Sequence, residues 1–321
     1  ILLGISGGPD SVALFHSLLA LNVKLSCAHV NYQLRAGADE DESFVRKLCQ
    51  EKGVPLFVLR CDTVAYCKKN RLSIEAGARE LRFSFFKEIS EKENIPLIAV
   101  ASTLNDAVET FFINLIRGAG IRGLKSILPR RDNIIRPFFN VTREEVLSFL
   151  KEINAQWRDD ISNKSDVYLR NRIRLQILPL FTAENPAFVE MFAKTLSHLR
   201  EAFYIYTNSV QQIIKRCVSP LSIKWINGNA GECFYLAEIY KEKHLIISSL
   251  IHEWLSKYPV PEKKISEIIN IVKGLNPSNP SKKWKIFEGH GCKVYLSLEV
   301  IVVVRKLELP ELFEIGDSPV E

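Results

Sequence analysis

Short apolar runs alternate with longer amphipathic stretches through the first half of the chain. Ile1–Ser6 reads as a short strand that runs into a glycine pair, and Val12–Leu21 carries apolar residues at helical spacing. Lys24–His29 predicts a second strand and Ala38–Gln50 a helix with one charged face. Pro55–Arg60 predicts a third strand, Ser73–Lys92 a long helix, Pro96–Ala101 a fourth strand and Asn105–Ile116 a further helix. Pro96 falls at the first strand position, where a missing ladder donor is tolerated. Strand and helix alternating at this spacing imply a parallel sheet with helices on both faces. Ligands of such sheets sit beyond the carboxyl ends of the strands.

Pro179 and Pro186 mark a break. Phe188–Lys215 then predicts one long helix, Lys243–Ser256 and Pro261–Lys273 two more, and Trp284–Glu288, Lys293–Leu298 and Val300–Arg305 three strands. Gly274–Ser281, rich in Pro, Ser and Asn, reads as a loop. The expected organisation is an α/β catalytic domain over residues 1–180, a helical linker at 181–215, a smaller α+β domain at 216–306 and an acidic tail at 307–321.

Composition narrows this picture only slightly. A chain of 321 residues with 47% hydrophobic and 25% charged positions has the balance of a globular protein. Its net charge of +6 is compatible with a polyanionic partner, and a mixed solvated surface explains it equally well. The seven cysteines form no C-x-x-C pair and no zinc spacing, so reduced, mostly buried thiols are expected. No apolar run is long enough to span a membrane and no signal-peptide pattern is present, which makes the cytoplasm the default location.

The strongest local signal is Ser6-Gly7-Gly8-Pro9-Asp10-Ser11, between the first strand and the first helix. Glycines let the backbone turn tightly and approach a ligand, and amides at a helix N-terminus hold an anion. Pro9 suits the first helical turn, where a missing N–H costs nothing. Ser6 and Ser11 offer hydroxyls to phosphate oxygens, and Asp10 can hold Mg²⁺ against them. A plain strand–turn–helix corner would also use a Ser cap; the six-residue string in this context favours phosphate binding.

Asp106 and Glu109 lie three apart on the helix after the fourth strand, so both carboxylates point the same way. Acidic residues in a first turn are also ordinary partners of the helix dipole. Arg79 and Arg82 likewise share a face, either toward phosphate or in local pairs with Glu75 and Glu80.

Taken in order, these strings resemble the lysidine synthetases, a branch of the N-type ATP pyrophosphatases. Ser6–Ser11 resembles their PP-loop, S-G-G-x-D-S, and lacks the G-K-[ST] ending of a Walker loop. His29-Val30-Asn31-Tyr32-Gln33-Leu34-Arg35 is similar to H-V-N-H-x-L-R, with Tyr32 in place of the second His. Glu75–Phe83 is similar to E-A-x-A-R-x-x-R-Y, and Leu115–Leu124 to L-x-R-G-x-G-x-x-G-L. Arg136-Pro137 with Arg143, Trp157–Asn163 and Arg170-Asn171-Arg172-Ile173-Arg174 complete the series. The chain departs from the family pattern before Glu109, where Ser102, Thr103, Asn105 and Ala107 replace two His, an Asp and a Gln.

The resemblance implies a PP-loop ATP pyrophosphatase domain that ligates lysine to carbon 2 of the wobble cytidine of tRNA(Ile) with a CAU anticodon. An adenylated cytidine is the intermediate, and AMP and pyrophosphate are released. Ser6, Gly7, Gly8, Pro9, Asp10, Ser11 and His29 would hold ATP, with Mg²⁺ on Asp10. Asp106 and Glu109 would hold L-lysine and, with Asp10, carry the catalysis. Arg79, Arg82, Arg117, Arg122, Arg170, Asn171 and Arg174 would meet tRNA, since arginines pair with phosphates and stack on splayed bases. The smaller domain resembles the family's tRNA-contacting domain; for its Lys263, Lys264, Lys282 and Lys283 solubility is the simpler role. A homodimer is one option for assembly. Two alternatives stay open: a tRNA thiolase of the same superfamily, for which Cys61 and Cys67 are the only close cysteine pair, and a non-catalytic tRNA-binding homologue.

Overall fold

The computed structural model describes residues 1–158, 169–221, 231–237, 244–274, 285–289, 292–297 and 300–305. The Asp159–Asn163 part of the tryptophan motif, the loop expected after Gly274, Lys282, Lys283 and the acidic tail lie outside the described residues. The chain divides into two compact units, Ile1–Phe203 and Tyr204–Glu321.

The first unit holds a six-stranded sheet made of β1 (Leu2–Gly4), β2 (Ser26–Asn31), β3 (Leu56–Arg60), β4 (Ile98–Val100), β5 (Arg130–Arg131) and β6 (Ile134–Ile135), in the order β3-β2-β1-β4-β6-β5. Neighbours are parallel except β5, which pairs antiparallel with β6 at the edge. Side chains alternate across a strand, so a sheet covered on both faces needs apolar residues at successive positions. Leu2 and Leu3, Cys27 and Ala28, and Ile98 and Ala99 meet that need, each pair splitting between the two faces.

The helices of this unit are α1 (Pro9–Ala20), α2 (Ala38–Glu51), α3 (Thr63–Asn70), α4 (Ile74–Lys92), α5 (Leu104–Ile116), α6 (Ile121–Leu124), α7 (Arg143–Glu152), α8 (Leu169–Arg172), α9 (Leu178–Glu184) and α10 (Phe188–Cys217). Leu14, Phe15 and Leu18 of α1 and Val45 and Cys49 of α2 cover one face, with Val146 and Leu150 of α7 packed on α1. Phe85, Phe86 and Ile89 of α4 cover the other. The approach of α4 is close: a Cβ on Gly4 would come within 2.5 Å of the Phe86 ring.

From β1 the chain winds outward through β2 to β3, then returns to the other side of β1 as β4. The crevice beyond the carboxyl ends of β1 and β4 is therefore the switch point of the sheet, where open α/β folds bind ligands. The PP-loop follows β1 and the Asp106–Glu109 helix follows β4.

Local signals start these helices. Thr103 and Thr142 form capping boxes with Asp106 and Glu145, and Ser73 accepts from the Ala76 amide. Between α8 and α9 the helix takes a π turn over Ile173–Ile177, with the Leu178 amide bonded to the Ile173 carbonyl. Pro179, next in line, has no N–H to give the Leu175 carbonyl, so regular α pairing would fail there in any case. The first half of α10 packs into the first unit: Leu196 is buried in a cluster with Val108, Phe112 and Ile173, beside Phe188 and Phe192.

The second unit builds an antiparallel sheet of five strands in the order β7-β8-β11-β10-β9. These are β7 (Val218–Leu221), β8 (Gly231–Tyr235), β9 (Lys285–Gly289), β10 (Cys292–Leu296) and β11 (Val300–Arg305). Two helices, α11 (His244–Leu255) and α12 (Glu262–Gly274), and the second half of α10, through Val210, Ile214 and Cys217, join the sheet in a core centred on Phe234, Trp254, Ile268 and Val294. The buried Trp254 donates its indole N–H to Glu232, 2.8 Å away. All seven cysteines are free; Cys61 is half-buried and the other six are buried. No helix among the described residues is long and apolar enough to cross a membrane.

Candidate functional site

The loop after β1 is wired by its own hydroxyls. The Ser6 amide donates to Ser11 Oγ (3.2 Å), the Ser11 hydroxyl donates to the Gly8 carbonyl (2.9 Å), and the Gly8 amide donates to Ser6 Oγ (3.3 Å). Ser11 is buried and Ser6 exposed, so Ser11 shapes the loop while Ser6 faces outward. Gly7 sits at φ +88°, a left-handed conformation natural to glycine. A Cβ there would also press on Val45 (3.3 Å) and Phe44 (3.4 Å). Gly8 caps α1, and Pro9 opens it where its absent N–H is not missed. The buried His29 ring bonds through Nδ1 to the Ile5 carbonyl at 2.9 Å, so it steadies the strand that feeds the loop. Burial lowers its pKa, which keeps it neutral.

Asp10 projects from the first turn of α1. Its Oδ1 is buried and has no hydrogen-bond partner, and Arg143 at the start of α7 lies 3.7 Å from Oδ2. Burial, then the charge of Asp106, raises its pKa to about 6. An orphaned, destabilised carboxylate beside an anion-binding loop suits a divalent cation shared with phosphates. Among the described residues no group of three or more His, Cys, Asp or Glu could hold a metal by itself, so phosphate oxygens would have to complete the shell.

Across the crevice stand Asp106 and Glu109. Asp106 Oδ2 accepts from the Thr103 amide (2.9 Å) and hydroxyl (3.3 Å), so one of its oxygens serves the helix cap. Glu109 is fully buried, with Arg174 Nε 2.6 Å from Oε1 and Arg170 Nε 3.0 Å from Oε2. Burial raises its pKa, against the pull of both arginines. Asp10, Asp106 and Glu109 all act on the Arg174 charge, which joins the loop and the two acids in one electrostatic site. Asn105, where the family pattern has an Asp, accepts from the Arg143 amide at 2.8 Å and ties α5 to α7.

A latch closes one flank. The Arg158 amide donates to the Gly7 carbonyl (2.9 Å), and its guanidinium donates to Glu40 (2.7 Å) and Asp41 (3.1 Å) at the start of α2; Asp41 also pairs with Arg35. Beneath it the buried Glu42 takes hydrogen bonds from Asn31, Arg46 and Arg60. Burial opposes its charge, but these three donors win and hold the carboxyl down to about 2. The motifs include Asn31 and Arg158 but not Glu42, its α2 neighbour Arg46 one turn along, or Arg60, which reaches it from the end of β3.

The arginines fall into two groups. Arg170 and Arg174 turn inward onto Glu109, and Asn171 is buried. Arg79 and Arg82 flank the Phe83 ring, 4.8 and 5.1 Å from its centre. Arg79 is lowered by desolvation and by the like charges of Arg82, Arg131 and Arg170. Arg136, buried, is lowered by desolvation and by Arg79, Arg131 and Arg82. Lys125 is lowered by desolvation, Arg122 and Arg131, which extends this basic patch to α6. Arg117 stands exposed at the end of α5. The sequence reading did not single out Arg131 as part of the patch. Cys61 lies 3.7 Å from the Asn31 carbonyl and Cys67 Sγ 3.5 Å from the Ser73 carbonyl, both within local packing contacts.

A glycine loop after β1, with acids after β4 at the switch point, defines a PP-loop nucleotide-binding domain, and the PP-loop domain family matches residues 1–181. The chain is 40% identical to a tRNA(Ile)-lysidine synthase of Bacteroides thetaiotaomicron over 70% of its own length and 53% of the relative's. It is 38% identical to a tRNA(Ile)-lysidine synthase of Petrotoga mobilis, over 85% of each chain. The chain belongs to the tRNA(Ile)-lysidine synthase family of PP-loop proteins. It spans about half the length of the first of these relatives (53%). In fold it is similar to a U34-tRNA thiolase of Methanococcus maripaludis, with a TM-score of 0.53, 18% identity, and coverage of 62% of this chain and 71% of that one.

Proposed function

We propose that this chain is a cytoplasmic ligase that joins lysine to carbon 2 of the wobble cytidine in tRNA(Ile) with a CAU anticodon, using ATP. One arrangement carries the reading: the Arg174 guanidinium lies 2.6 Å from Glu109 and 4.0 Å from Asp106 after β4, and the PP-loop carboxylate Asp10 after β1 acts on the same charge, at the switch point of the sheet. Membership of the lysidine synthase family supports the choice of amine and nucleic acid.

In this reading the loop Ser6–Ser11 holds the ATP phosphates, and Asp10 would hold Mg²⁺, which would supply positive charge to neutralise them. Bound ATP·Mg²⁺ supplies an electrophilic α-phosphate. The cytidine O2 bonds to that phosphorus and pyrophosphate leaves, which makes carbon 2 electrophilic. Lysine, gripped at Asp106 and Glu109, gives one ammonium proton to a carboxylate, and its amine then bonds to carbon 2 as AMP departs. The protein contributes orientation and charge neutralisation. Arg79, Arg82, Arg122 and Arg131 face the RNA backbone, with Arg117 at the rim and the buried Arg136 adding charge to the same patch.

The test is direct. The chain is incubated with ATP·Mg²⁺, isotope-labelled lysine and candidate tRNAs, and the nucleosides are separated by mass. Lysidine in tRNA(Ile) with equimolar AMP is expected. Sulfur incorporation, or tRNA binding without lysine-dependent AMP release, would overturn the reading.

A further inference from the structure

The acids assigned to the substrate amine already hold a cation of the chain itself. Glu109 is fully buried; Arg174 Nε donates to Oε1 at 2.6 Å, while Arg170 Nε lies 3.0 Å from Oε2 without completing a hydrogen bond. Asp106 spends Oδ2 on the α5 cap and turns Oδ1 toward Arg174 Nη2, 4.0 Å away. The Arg174 guanidinium thus sits between the two oxygens that an ammonium would use. An ammonium that is to use Glu109 Oε1 and Asp106 Oδ1 together must take the place Arg174 now holds.

Of the two, Arg174 is the one placed to leave. Arg174 Nη2 reaches past Glu109 to within 4.0 Å of Asp106 Oδ1, and the charge of Asp10 on the phosphate loop also acts on it, so a phosphate bound there competes with Glu109 for the same guanidinium. A triphosphate carries several negative charges and matches the guanidinium fork, so it outbids a single carboxylate. Arg174 rides on the π turn Ile173–Ile177, a form that holds one extra residue per turn and recurs where helices adjust at functional sites. Arg170 is anchored separately: its Nη2 donates to Thr110 Oγ1 at 3.1 Å, so it can stay beside Oε2 when Arg174 moves.

We propose that Arg174 is a positioning residue with two stations: it covers the amine site while the phosphate loop is empty and moves to the phosphates when nucleotide binds, so that lysine binds after ATP. The proposal rests on the reading of Asp106 and Glu109 as the amine site. Its consequence is a coupling between the two ligands, reciprocal by thermodynamic necessity.

Calorimetric titration of the full chain with L-lysine, with and without α,β-methylene-ATP and Mg²⁺, measures that coupling. Bound nucleotide should tighten lysine binding by about tenfold or more. Arg174→Gln should tighten lysine binding without nucleotide and reduce the coupling to about one. Equal lysine affinity in the two wild-type titrations would overturn the proposal and leave the amine site standing; this arm needs no variant. Lysine binding that is absent even with nucleotide, in both wild type and Arg174→Gln, would overturn the amine reading and the proposal together.

Discussion

Arg174 Nε lies 2.6 Å from Glu109 Oε1, inside a site where Glu109 is fully buried. A buried carboxylate shared by two guanidiniums is expensive to remove, because both cations lose their counter-charge. Glu109→Gln keeps the shape and removes the charge. It should lower lysine-dependent AMP release by about 10² to 10³-fold, the cost of breaking a desolvated charge pair, while binding of α,β-methylene-ATP changes little. Steady-state release of AMP beside nucleotide titration checks this, and an equal loss in both would show that Glu109 supports the fold rather than the amine.

Asp10 gives the site a pH dependence. Burial and the neighbouring Asp106 raise its pKa from 3.8 to about 6. The folded chain therefore keeps the Asp10 proton longer than the unfolded chain does. Between about pH 4 and 6 this single group lowers stability as pH rises, and above 6 its contribution is level. Mg²⁺ favours the charged carboxylate, so Mg·ATP binding should strengthen as pH rises through about 6 and should release a proton below it. Calorimetry at pH 5.5 in buffers of different ionisation enthalpy reads that proton directly. Asp10→Asn should abolish the release and most of the metal-dependent affinity.

The loop glycines separate folding from binding. Ala at Gly7 meets both a positive φ and the Val45 and Phe44 side chains, whereas Ala at Gly8 meets Ser6 Oγ no closer than 3.5 Å. Gly7→Ala should cost about 1–2 kcal/mol in stability, the usual penalty of a left-handed non-glycine residue. Gly8→Ala should leave the melting temperature nearly unchanged yet weaken ATP, because its methyl stands in the phosphate cradle. Thermal melts with and without ATP distinguish the two, and an unaffected Gly8→Ala nucleotide affinity would move the phosphates elsewhere.

The parallel sheet was readable because its signals are local: successive apolar residues such as Leu2 and Leu3 announce a strand buried on both faces. What escaped was short or polar. The α3 helix begins at an Asp62 cap but has a weak apolar stripe, and β5 and β6 are two residues each, defined by pairing rather than composition. In the second unit, β7 and β8 have no alternating pattern longer than five residues. At the site, the loop and the α5 acids could be placed from the motif order. The engagement of Glu109 by Arg170 and Arg174 could not, since about sixty residues separate these partners and each arginine reads equally well as an RNA contact.

Glu42 should behave as the anchor of the α2 flank. It is buried under Arg46, Arg60 and Asn31, and its pKa of about 2 means its contribution is present above about pH 4.5 and lost as pH falls toward 2. Glu42→Gln should cost about 3 kcal/mol at neutral pH, since it leaves partners of a buried pair uncompensated. Denaturant unfolding at pH 7 and pH 3 tests this: the wild type should lose stability toward pH 3 more steeply than the variant, and parallel losses would remove Glu42 from the acid response.

The basic patch makes a prediction that depends on salt. The like charges of Arg82 and Arg131 help to lower both Arg79 and Arg136, and Arg136 is buried, an arrangement that an RNA phosphate would relieve. Each phosphate contact contributes about 0.7–0.9 to the slope of log affinity against log salt. Arg79→Gln or Arg131→Gln should weaken tRNA binding at every salt concentration and lower that slope by about 0.7–0.9 each. Lys264→Gln in the second unit, a partner of Glu267 at 3.7 Å, serves as the surface control and should leave the slope unchanged. Filter binding from 50 to 300 mM salt gives both numbers. A slope unchanged by the arginine substitutions would mean that the patch meets no phosphate.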